Sequence, residues 1–102
     1  MKIVFVEPVE RAGKERLVSE VELHFEKNEP LAGLKLSGFG LWREKGGNGM
    51  YVTLPGRSFY DENNTRRYYV YLRSARDWHK DTNVLTDEII STWNKENEKG
   101  NS

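Results

Sequence analysis

Alternation of apolar and polar residues is the feature that most limits what this chain can fold into. Between Arg16 and Phe25, the side chains of Leu17, Val21, Leu23 and Phe25 fall on one side, with Ser19 among them. Val18, Glu20, Glu22 and His24 fall on the other. A period of two is that of a β-strand with one dry face and one wet face. The same period starts earlier, where Ile3 and Phe5 alternate with Lys2, Val4 and Val6 until Pro8 stops the run, and Gly13 marks a turn. Asn28 to Pro30 break the second strand, Leu34 and Leu36 resume the pattern, and Leu41 and Trp42 carry it to Arg43. Gly38, Phe39 and Gly40 interrupt this third strand, and glycine inside a strand marks a bulge, a bend or a close backbone approach.

Gly46-Gly47-Asn48-Gly49 is the strongest turn signal, because Gly and Asn tolerate the positive φ that a tight hairpin needs. Met50, Val52 and Leu54 alternate with Tyr51 and Thr53 on the return strand, which Pro55 closes. A polar loop at Asp61-Glu62-Asn63-Asn64 precedes a strand from Arg66 to Ser74, with Tyr68, Val70 and Leu72 on one face. After Arg76 the period becomes helical. Leu85, Ile89, Ile90 and Trp93 form one stripe, Thr86 serves as N-cap, Asp87 and Glu88 suit the first turn, and Leu85 with Ile90 suits a hydrophobic staple. The expected fold is α+β, a single domain over residues 1–94. An antiparallel β-sheet of about five strands is followed by a C-terminal helix that covers one face, and residues 95–102 form a frayed polar tail.

The glycine-rich stretch does not read as a nucleotide pocket. A phosphate-binding loop needs Gly-Lys-Ser/Thr leading into a helix, and a dinucleotide fingerprint needs GxGxxG before a helix. Here the glycines lie between two strands, so they shape the sheet.

At 102 residues without cysteine, the chain excludes a disulfide framework, a zinc-thiolate site and a thiol nucleophile. No run approaches the roughly 20 apolar residues of a membrane span, and MKIVFVEPVE is too short and too soon acidic for a signal peptide. A soluble, cytoplasmic protein is expected, with no membrane, no small-molecule substrate, no metal and no cofactor. His24 and His79 are far apart and read as surface residues. Ser58 and Ser74 read as turn hydroxyls, and Asp61 with Glu62 reads as a solvated loop tip. None of these assembles a catalytic constellation, so the expected protein is not an enzyme.

The charges are distributed unevenly. The formal net charge is 0, yet residues 35–80 hold nine Lys/Arg against four Asp/Glu, while residues 1–34 and 81–102 are acidic. The basic centre also carries most of the aromatics. Arg67, Tyr69, Tyr71 and Arg73 alternate on one strand face, flanked by Arg57, Arg66, Arg76, Trp78 and Lys80. Nucleic acid is held by this combination, since bases stack on rings while Arg and Lys meet phosphates. The competing reading is a sheet whose tyrosines are half-buried under a helix or a dimer partner. Phe39, Leu41 and Trp42, on a long hairpin that one small core would not fully cover, mark the expected homodimer interface.

Gly33-Leu34-Lys35-Leu36 and Gly49-Met50-Tyr51-Val52-Thr53-Leu54-Pro55-Gly56-Arg57 carry a family resemblance. They resemble the SpoVG (septation protein) family of small bacterial nucleic-acid-binding regulators. In that family a strand ending "GL+V" leads through a Gly/Asn hairpin to "G-aromatic-V-x-M-P-S-R". Gly56 stands here for Ser, and Met50 is inserted. The strand LVSEVELHFE and the helix around Leu85 to Trp93 sit where the family has its second strand and C-terminal helix. The resemblance implies a SpoVG-like α+β domain, homodimeric through strand contacts, binding DNA or RNA, with Arg57 carried over. Two departures stand out. Tyr69-Val70-Tyr71-Leu72-Arg73-Ser74 replaces the family's "D-I-A-H-P-I", and the hairpin is lengthened by Phe39 to Lys45. The family's basic surface near the helix is not carried over, because Asp87, Glu88, Glu96 and Glu98 make this helix acidic. A non-catalytic regulator acting on DNA or RNA as a homodimer is thus the leading expectation. A protein-interaction or scaffold module of the same fold is the alternative.

Overall fold

A computed structural model describes residues 1–10, 13–76 and 78–98, apart from the side chains of Trp78, His79 and Glu98. Its strands are β1 (Lys2–Val6), β2 (Leu17–His24), β3 (Lys35–Arg43), β4 (Met50–Thr53), β5 (Gly56–Tyr60) and β6 (Arg66–Val70), followed by the helix α1 (Trp78–Glu98). The fold is α+β, with β1-β2-β3-β4 in one antiparallel sheet and β5-β6 in a separate two-stranded ribbon.

The alternation places the core. Phe5 opposes Val21, Ile3 opposes Leu23, Val21 opposes Phe39 and Leu41 opposes Val52, so these residues share the face on which α1 lies. Val21, Leu23, Phe39, Leu41 and Ile89 form the buried cluster, and Leu85, Ile90 and Trp93 pack against it. Trp93 meets Phe5 edge-on, with centroids 5.0 Å apart. The opposite face stays open. There Glu22 accepts hydrogen bonds from His24 and Lys35, which together hold its carboxyl below the usual range.

Two bulges shape β2 and β3. Between Val21 and Leu23, β2 takes one step of two residues while β3 takes three, from Phe39 to Leu36. Gly38 occupies this bulge at φ 104°, and a Cβ there would sit 3.0 Å from the Pro55 side chain. Bulge and close approach therefore coincide. The second bulge, between Leu17 and Ser19, overturns two face assignments, since Val18, expected on the wet side, packs against the core cluster. Leu17 pairs with Trp42 on the open side, and although buried it lies outside the core cluster. One extra residue reverses the pleat.

The hairpin at Gly46–Gly49 forms as its glycines require. Arg43 pairs with Met50, Gly46 and Gly47 take φ of 98° and 79°, and the Gly47 amide donates to the Glu44 carbonyl.

Three further expectations are corrected. The helix begins at Trp78, so Thr86 is not an N-cap. Its hydroxyl donates to the Asn83 carbonyl one turn back, a local bond that Thr makes inside helices. Leu85 consequently belongs to the buried stripe of the helix and is not the outer half of a staple. The helix also runs through Glu98, so residues 95–98 are helical and not a frayed tail, while 99–102 lie outside the described residues. Finally, the described residues form six strands, because Gly56–Tyr60 pairs with a strand that ends at Val70 and not at Ser74. Among the described residues no helix is long and apolar enough to cross a membrane.

Candidate nucleic-acid interface

The β5–β6 ribbon gathers most of the basic and aromatic candidates. Its register pairs Arg57 with Tyr69, Ser58 with Tyr68, Phe59 with Arg67 and Tyr60 with Arg66. Directly opposed residues share a face, so Arg57, Phe59, Arg67 and Tyr69 lie together. Tyr71 and Arg73 extend the row. The rings of Tyr69 and Tyr71 are 6.0 Å apart, and the Arg73 guanidinium lies 4.5 Å from the Tyr69 centroid. Arg57 reaches the same ring at 5.9 Å and that of Phe59 at 5.8 Å. Arg73 is held further by its Nε donating to the Val70 carbonyl at 2.9 Å.

Neither strand contains an acidic residue. The turn between them does, and it consumes one of the cations. Asp61 accepts from the amides of Asn63 and Thr65, at 2.9 and 3.0 Å, and from Arg67 Nε at 2.7 Å, while Asn64 takes φ 59°. The Arg67 guanidinium, followed by the Thr65 and Asn63 amides, holds the Asp61 carboxyl below its usual range. A depressed carboxyl stabilises the turn fully above its ordinary value, and that contribution is lost as pH falls through the lowered value. In an acid titration followed by NMR, the Asn63 and Thr65 amide shifts should therefore move with a midpoint below about 3.9. A midpoint at or above that value would contradict the Arg67–Asp61 lock.

The eight candidates separate. Arg57, Arg67, Tyr69, Tyr71 and Arg73 come together, while Arg66 lies on the reverse face opposite Tyr60. Arg76 stands apart, where the chain enters the helix, with its Nε and Nη2 3.1 and 3.2 Å from the Asp81 carboxylate. Arg76 and the Ser74 hydroxyl hold the Asp81 carboxyl below its usual range. Lys80 is exposed in the first turn of α1. The flanking Trp78 side chain and that of His79 lie outside the described residues.

The helix does not cover the tyrosines. Tyr69 is 44% exposed and Tyr71 58%, and α1 packs against β1 and β4. The proposed interface trio is corrected instead. Phe39 is 2% exposed and Leu41 0%, because this core does cover them, so neither offers surface to a partner. Trp42 alone keeps surface, on the open face, where it stacks on Tyr51 at 6.4 Å and donates to the Thr53 hydroxyl at 2.9 Å.

Phe59, Tyr60 and Tyr68 were not among the sequence candidates, and all three are exposed on the ribbon. A turn-forming Asp-Glu-Asn-Asn between two short aromatic runs was the signal for them. A cleft of about 580 Å³ lies at the foot of the ribbon, lined by Leu54, Val70, Leu72, Arg73, Ser74 and Thr82.

Compared with known protein families, curated proteins and solved structures, the chain matches none of them.

Proposed function

We propose that this protein is a non-catalytic nucleic-acid-binding regulator that works in the cytoplasm as a homodimer. The observation that carries the proposal is the ribbon face, where Arg57 and Arg73 converge on the ring of Tyr69 with no acidic residue on either strand. Guanidinium groups meet phosphates and the edges of bases. The resemblance of Gly49–Arg57 to the SpoVG motif supports the same function and includes Arg57. It does not account for Gly56, where a Cβ would lie 2.9 Å from the Tyr68 ring.

Dimerisation needs a surface other than Phe39 and Leu41. The outer edges of β1 and β4 end the four-stranded sheet, and strand edges are where a second chain can add.

Sedimentation velocity with labelled oligonucleotides at two salt concentrations tests both parts at once. With Arg67 and Arg76 already paired to carboxylates, about three phosphates should be neutralised, for a log–log salt slope near −3 on duplex DNA. The free protein should sediment above its 11.9 kDa monomer mass at tens of micromolar. Failure to bind single- or double-stranded DNA or RNA at low salt would sink the nucleic-acid proposal and favour a protein-interaction module. A clean monomer would remove the homodimer alone.

A further inference from the structure

We infer that the β5–β6 ribbon is an arm that lies in the major groove of B-form duplex DNA, with the Arg57–Tyr69–Arg73 face toward the base edges. The inference rests on the proposed nucleic-acid binding and names the form of the target.

The first observation is projection. Among the described residues neither β5 nor β6 makes extended contact with the four-stranded sheet or with α1, and most of both strands is exposed on both faces. Among the described residues only the foot is fastened, by the Tyr71 amide donating to the Pro55 carbonyl, the Tyr68 hydroxyl donating to the Leu54 carbonyl, and Leu72 packing on the core. The radius of gyration is 15.3 Å, against about 13 Å for a compact domain of this length. A lone two-stranded ribbon is marginal in water, so an arm open on both sides suits a surface that will cover it.

Shape and charge choose that surface. Strands about 4.8 Å apart and roughly 17 Å long make a ribbon of the size that a B-form major groove admits. The deep, narrow major groove of A-form RNA does not admit it. Arg57 and Arg66, with no carboxylate on either strand, suit a polyanion and repel a second copy of the same arm.

The third observation separates groove binding from base stacking. The Tyr69 ring already carries Arg73 at 4.5 Å and Arg57 at 5.9 Å, so a base would have to displace a guanidinium to stack there. The ring acts instead as a brace that fixes two guanidinium groups on the outer face of the ribbon. Held in that way, arginine pairs with the O6 and N7 edge of guanine.

The test compares a short DNA duplex, the RNA duplex of the same sequence and the single DNA strand, by anisotropy with the full chain. The DNA duplex should bind at least about tenfold more tightly than the others, since a bidentate arginine contact carries roughly that much discrimination. Methyl green, a major-groove ligand, should compete, and the minor-groove ligand netropsin should not. Tyr69→Ala should lose affinity for the duplex, and Tyr69→Phe, which keeps the brace, should restore it at an unchanged melting temperature. Equal or tighter binding of RNA duplex or single strand, or displacement by netropsin, overturns the groove inference while nucleic-acid binding stands. Absence of binding to every probe overturns both. An arm whose Arg57→Ala and Arg73→Ala variants lose dimer mass instead of DNA affinity is a protein contact, and that also overturns the inference.

Discussion

Phe39→Ala should cost about 3–5 kcal/mol of folding stability, the range for truncating a buried phenylalanine. Phe39 is almost fully enclosed, opposite Val21 and within one cluster with Leu41 and Ile89. It is also held just beyond the Gly38 bulge, so the backbone has little freedom to close the void left by the ring. With roughly 4–8 °C per kcal/mol for a domain of this size, the melting temperature should fall by more than about 12 °C. A marginal domain could lose its native state altogether, because total stability is only about 5–15 kcal/mol. The loss should be the same at low and high protein concentration. Stability carried by a subunit interface varies with concentration by mass action, and stability carried by a single-chain core does not. Trp42→Ala, on the open face, should give a much smaller loss. A Phe39→Ala melt that shifts by only a degree or two, or only at low concentration, would return Phe39 to an interface.

What could be read from residues alone follows from where water lies. β2 was legible because one of its faces is dry, and the apolar stripe of α1 was legible for the same reason. The helix start was not. Thr86-Asp87-Glu88 is a good opening by local chemistry, and nothing in those three residues shows that the helix already began at Trp78. The position of Leu17 was hidden by a bulge, since one inserted residue reverses the pleat without changing the composition of the run. The ribbon was half legible. β6 was visible through Arg67, Tyr69, Tyr71 and Arg73, whose common face the structure keeps. β5 was missed because Arg57 and Phe59 share one face while Ser58 and Tyr60 share the other. With both faces in water there is no dry stripe for alternation to reveal. Phe39 and Leu41 failed as interface residues for the opposite reason, since their burial depends on α1 lying across the sheet.

Gly56→Ala should separate the ribbon from the core more sharply than any other change. Gly56 opens β5 opposite Val70, immediately after the buried Pro55. A Cβ at this position would press on the backbone carbonyl of Tyr69 and lie 2.9 Å from the Tyr68 ring. The obstruction is space and not backbone conformation, since Gly56 is not among the glycines at positive φ. A carbonyl within a strand cannot swing aside as a flexible side-chain tip can, so β5 and β6 must part at the foot, where Arg57 faces Tyr69. The brace on Arg57 and Arg73 should then be lost, and nucleic-acid affinity should fall by at least on the order of tenfold, as for two misplaced arginine contacts. The core cluster contains no ribbon residue, so the melting temperature should move by only a few degrees. Ser58→Ala, two residues along the same strand and exposed, should change neither quantity. Binding curves and melts on the three proteins decide the matter. Wild-type affinity in Gly56→Ala would show that the geometry of the ribbon foot is irrelevant to binding. Global unfolding of Gly56→Ala would show instead that the arm is part of the cooperative core, and the division between a folding sheet and a binding ribbon would fail.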